Sequence, residues 1–99
     1  MTTLCPETTQ FLSAQPLKMF IGGRWTNSLS GAAFETRDPG TGSVIAPVSA
    51  GDAADVERAV QAAGEAFRQS GWATLPANDR GVIFHRLADL IDKHQKIIV

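Results

Sequence analysis

The 99-residue sequence has one cysteine, Cys5, so it cannot form an internal disulfide, and a lone thiol suits a reducing compartment. It has no run of about 18 apolar residues, which excludes a membrane-spanning helix. A basic excess is missing too. Lys+Arg 9 against Asp+Glu 10 leaves a formal net charge of -1, which offers little attraction to nucleic-acid phosphates or anionic lipids. Residues Met1 to Gln15 carry Glu7, no basic cluster and no continuous apolar stretch, so the pattern of a secretory signal is absent. These absences lead us to expect a cytoplasmic chain with no nucleic-acid partner and no membrane partner.

Chemical motifs are equally sparse. Cys5 stands beside Pro6 with no histidine or carboxylate patterned around it to lower its pKa, so it lacks what activates a nucleophile. His85 and His94 are nine positions apart, too far for two ligands on neighbouring turns of one helix to share a metal. Gly40-Thr41-Gly42 begins like a dinucleotide fingerprint, but Ile45 stands where the third glycine belongs and no helix pattern opens behind it. It reads as a turn between strands. There is no Gly-Lys-Ser/Thr triplet for a nucleoside triphosphate. Trp25 and Trp72 each adjoin an apolar run without a basic groove, which favours packing over stacking on a base or sugar.

What is present is an ordinary globular composition, with 43% hydrophobic and 19% charged residues. A chain of this length makes at most one folding unit and buries only about two thirds of its unfolded surface, so marginal stability is expected if it stands alone. Residues 1–16 are rich in Thr, Ser, Gln and Pro and read as a flexible tail. From Leu17 the pattern turns strand-like. Gly22-Gly23 predicts a two-residue hairpin turn, because both central positions can take positive φ. A second strand pair follows, Ala33 to Arg37 and Ser43 to Val48, reversed by Asp38-Pro39-Gly40-Thr41-Gly42.

Asp52 then predicts the cap of a helix running to Gln69, on which Val56, Ala59, Val60, Ala63 and Phe67 recur at steps of three and four. Gly71 suits the left-handed close of that helix. Pro76 predicts a second helix, opening at a first-turn position, with Ile83, Phe84, Leu87, Leu90 and Ile91 as its apolar stripe. The charges Asp55, Glu57 and Arg58, and Arg86, Asp89, Asp92 and Lys93, read as solvated faces. The second helix is expected to reach Lys96 or beyond. Ile97-Ile98-Val99 carries no capping glycine or proline, so the pattern reads as cut rather than finished.

Four stretches resemble, in order, the start of the aldehyde dehydrogenase family. They are Phe20-Ile21-Gly22-Gly23-Arg24-Trp25; Phe34 to Ile45, with its Asp38-Pro39 turn and Thr41-Gly42; Asp55 to Ala63 with Ala66-Phe67 and Trp72; and Pro76 with Arg80 and Leu87-Ala88-Asp89-Leu90-Ile91. The resemblance implies an α/β fold, of which residues 17–99 form a partial domain: β-hairpins and two amphipathic helices at the amino-terminal end of a cofactor-binding domain. Such elements would help cover a larger parallel sheet.

The implied activity is oxidation of an aldehyde to a carboxylic acid with NAD or NADP. In the family a cysteine attacks the aldehyde, a glutamate activates water, and an asparagine and a backbone amide hold the oxyanion. None of these positions, nor the cofactor site, maps onto these 99 residues, and Cys5 does not match the nucleophile. The chain alone is expected to be inactive. Some members bind a structural monovalent cation through backbone carbonyls that map onto Thr36 and Arg37. Here Arg37 and Asp38 replace the usual apolar residue and asparagine. The implied partner is the remainder of the dehydrogenase domain or another subunit, in a family that is usually homo-oligomeric. The alternative is a small non-catalytic module that docks on a partner subunit.

Overall fold

The computed structural model describes residues 3–98. The order is α1 (Pro6–Ser13), β1 (Met19–Ile21), β2 (Arg24–Thr26), β3 (Ala33–Arg37), β4 (Val44–Ser49), α2 (Ala53–Gln69), a 3-10 turn (Trp72–Thr74), α3 (Ala77–Lys93) and α4 (Gln95–Ile98). Among the described residues, two separate antiparallel hairpins, β1 with β2 and β3 with β4, make up the strand content.

The first hairpin pairs Phe20 with Trp25 and Ile21 with Arg24, leaving Gly22 and Gly23 as the turn. Their φ angles of 61° and 75° match the double positive-φ turn whose twist suits a tight hairpin. In the second hairpin Thr36 pairs with Ala46 but Arg37 pairs with Val44, so Ile45 is an extra residue and the ladder bulges there. Leu17 adds a short parallel bridge to β4: its N–H donates to the Pro47 carbonyl and its carbonyl accepts from the Ser49 N–H, both at 2.9 Å.

Asp52 caps α2 by accepting from the amides of Ala54 at 3.0 Å and Asp55 at 3.4 Å. Asp55 completes a reciprocal capping box by accepting from the Asp52 amide at 3.1 Å. The helix closes at Ser70, and Gly71 takes the left-handed conformation with φ 76°.

Four expectations change. Within the segment read as a flexible tail, Pro6–Ser13 is helical. Pro6 opens the first turn, where its missing N–H costs nothing, and the Phe11 and Trp25 rings meet in a T-shaped arrangement with centroids 6.4 Å apart. Met1 and Thr2 of that segment lie outside the described residues. Pro76 is the extended residue before α3 rather than its first helical residue. The second helix is also shorter than expected. It ends at Lys93, His94 leaves helical geometry at φ -103° and ψ 17°, and the four-residue α4 follows; Val99 lies outside the described residues. Finally, Asp55 is not on a solvated face. It is 2% exposed, because its carboxylate gathers two backbone N–H groups and the Arg58 guanidinium.

The core is thin. Among the described residues Ala46, 1% exposed, is the one buried apolar side chain. The Cα radius of gyration is 17.1 Å, whereas a compact domain of this length would have about 13 Å. The molecule is spread over 46 × 35 × 20 Å.

Candidate functional site

Thr36 and Arg37 lie at the end of β3, beside the bulge. The following turn is held by its own hydrogen bonds: the Asp38 amide donates to the Ser43 carbonyl at 2.8 Å, the Gly42 amide to the Asp38 carbonyl at 2.7 Å, and the Gly40 amide to Asp38 Oδ1 at 2.7 Å. The Arg37 guanidinium folds over this turn, donating to the Gly42 carbonyl at 3.0 Å and pairing with Glu35 at 2.7 Å. Both ends of that pair are more than half exposed, so its contribution to stability is small. It does offset the arginine charge beside the strand end.

The other candidates stay apart. The Cys5 Sγ is 3.0 Å from Thr8 Oγ1, at the start of α1. His85 lies within α3 and His94 at its end. Among the described residues no three His, Cys, Asp or Glu side chains gather into a metal-binding group. Both tryptophans engage other aromatics: Trp25 packs on Phe20 at 5.1 Å between centroids and meets Phe11, and Trp72 stands edge-on to Phe84 at 5.9 Å.

Asp55, whose pattern suggested a solvated face, organises one corner. The Leu29 amide donates to its Oδ1 at 3.1 Å, the Asp52 amide to its Oδ2 at 3.1 Å, and the Arg58 guanidinium to its Oδ1 at 2.6 Å. Burial raises the pKa of this carboxyl, but the hydrogen bonds from Arg58, Asp52 and Leu29 together with the arginine charge outweigh it, and the net shift is downward. The effect is structural: it fastens the start of α2 to the loop before β3. The Asp52-x-x-Asp55 spacing held a capping signal, but the Leu29 amide 26 residues away left no local trace.

The larger feature is a pair of uncovered apolar faces. On α2 the line that meets the β1–β2 hairpin is Ala59, Ala62 and Ala66 around Phe20 and Gly22, with an open groove of about 340 Å³ between them. The stripe beside it is turned outward, with Val56 60%, Val60 61% and Phe67 80% exposed. On α3, Ile83, Phe84, Leu87, Leu90 and Ile91 are 43–60% exposed, and no residue of this helix is buried. Among the described residues no helix is long and apolar enough to cross a membrane.

Known proteins share this arrangement. The aldehyde dehydrogenase family model matches residues 25–99. A mitochondrial benzaldehyde dehydrogenase of Antirrhinum majus is 46% identical over 83 residues, covering 84% of this chain and 16% of that protein. The cytosolic aldehyde dehydrogenase 1 of Rattus norvegicus is 42% identical over 88 residues, covering 88% of this chain and 18% of that protein. The structure of an aldehyde dehydrogenase from Bacillus cereus in complex with NAD+ superposes with a TM-score of 0.87 at 36% identity, covering 96% of this chain and 19% of that one. The chain therefore spans less than a fifth of the length of these relatives. Its hairpins and helices correspond to an amino-terminal portion of their fold. The chain belongs to the aldehyde dehydrogenase family.

Proposed function

We propose that this segment serves an NAD(P)-dependent oxidation of aldehydes to carboxylic acids as part of the covering layer of the cofactor-binding domain, and contributes no catalytic group itself. The observation that supports this best is the pair of apolar faces on α2 and α3, left open on a backbone that recurs inside a much longer NAD+-bound enzyme. Apolar area of this extent gains its stabilisation only when something removes it from water. The cofactor, when bound, accepts the hydride. This chain's part is to fix the angle at which α2 leaves the hairpins, through Asp52, Asp55, Arg58 and Leu29. The partner is the remainder of the dehydrogenase domain or another subunit, and the compartment is the cytoplasm; relatives occur both in the cytosol and in mitochondria. The purified chain mixed with NAD or NADP and an aldehyde should give no absorbance of reduced cofactor. Measurable turnover would overturn the assignment of a purely structural role.

The same reading gives the backbone carbonyls of Thr36 and Arg37 to a monovalent cation. The bulge supports it, because the strand ladder is interrupted beside these residues, and the Glu35 pair offsets the arginine charge. Two carbonyls make an incomplete shell, so the rest of the ligands must come from outside this segment. The isolated chain should unfold identically in potassium and lithium chloride at equal ionic strength. A potassium-specific stabilisation would show that the site is complete here.

A further inference from the structure

The residues before Trp25 link both ends of the molecule. At its start, α1 faces α4: Thr8 Oγ1 donates to the Ile97 carbonyl at 2.9 Å, and Leu4, Cys5 and Thr8 line a cleft with Lys96, Ile97 and Ile98. Cys5 Sγ lies 3.0 Å from the same Thr8 hydroxyl, so one side chain joins the cap of α1 to α4. Further along, Phe11 meets Trp25 of the first hairpin edge-on at 6.4 Å. Just after α1, the Leu17 backbone exchanges two hydrogen bonds of 2.9 Å with Pro47 and Ser49 of β4. Beside β4, α1 borders an open groove of about 710 Å³ whose lining includes Leu4, Leu12, Val44 and Ile45. Meanwhile α3, which runs into α4, has no buried residue of its own.

We propose that residues 6–17 form a strap that fastens α4, and through it the end of α3, to the two hairpins. The strap acts as one unit, because the Thr8, Phe11 and Leu17 anchors share a single short helix and its exit.

The one cysteine of the sequence reports on it. Cys5 is half-buried under the Thr8 contact, so its rate of reaction with an aromatic disulfide reagent measures how often the strap opens. In the full 99-residue chain the thiol should react several-fold more slowly than in denaturant. Thr8→Val, which removes the donor to Ile97, should raise the rate, and Thr8→Ser, which keeps it, should restore the wild-type rate. Phe11→Ala should also raise it although Phe11 is six residues from the thiol, whereas Val60→Ser on the open face of α2 should not. A wild-type thiol as reactive as the denatured one would overturn the strap. Equal rates in Thr8→Val and Thr8→Ser, or no response to Phe11→Ala, would do the same.

Discussion

Asp55 shows how one residue can be misread by pattern and explained by geometry. Its neighbours Glu57 and Arg58 suggested a solvated face, but its carboxylate accepts from Leu29, Asp52 and Arg58 and is 2% exposed. Its folded pKa lies below its ordinary value of 3.8. A carboxyl depressed by folding stabilises above its unfolded pKa, and that contribution fades as pH falls through the lower folded value. Helical circular dichroism of the wild type should therefore decline below about pH 4, while Asp55→Asn should be weaker at neutral pH and lose less on acidification. A variant with the wild-type acid response would remove Asp55 from the explanation.

Gly22 and Gly23 were legible from sequence, because tight hairpin turns need positive φ and both residues supply it. An added Cβ at Gly22 would meet Ala62 Cβ at an ordinary 3.8 Å, and at Gly23 it would meet nothing within 4 Å. Backbone strain alone should then make Gly22→Ala and Gly23→Ala similarly costly, at roughly 1–2 kcal/mol each. If only Gly22→Ala destabilises the hairpin in a thermal melt, crowding against α2 is the cause instead.

At the level of elements, what local chemistry dictates was readable: the hairpin turns, the Asp52 cap and the left-handed Gly71. What depends on distant contacts was not. α1 lies in a polar stretch whose composition argues for disorder, and its partners Trp25 and Ile97 lie far along the chain. The break at His94 likewise has no glycine or proline to announce it. The Asp52 cap carries a definite cost: Asp52→Ala should lower the stability of α2 by about 1 kcal/mol, read as faster amide exchange in its first turn. The open stripe behaves oppositely. Val60→Asp with Phe67→Asp should leave helicity intact and raise the solubility of the isolated chain, since these side chains are 61% and 80% exposed. Loss of the helix would mean that the stripe is packed internally.

For the whole molecule, the sequence correctly indicated two helices with one-sided apolar faces, and the fold leaves both faces open. The cause is the shape itself. Two hairpins that share no sheet and helices that share no core bury one apolar side chain among the described residues. A radius of gyration of 17.1 Å is that of a layer rather than a ball. Such a layer is expected to be marginal by itself and to gain its stability from the surface it covers. The direct measurement is thermal unfolding of the isolated chain by circular dichroism, with light scattering to give its mass and an apolar dye to report exposed surface. The expected result is a broad, weakly cooperative transition, dye binding before unfolding, and association that increases with concentration. A monomer that melts sharply and binds no dye while folded would contradict a covering role for α2 and α3.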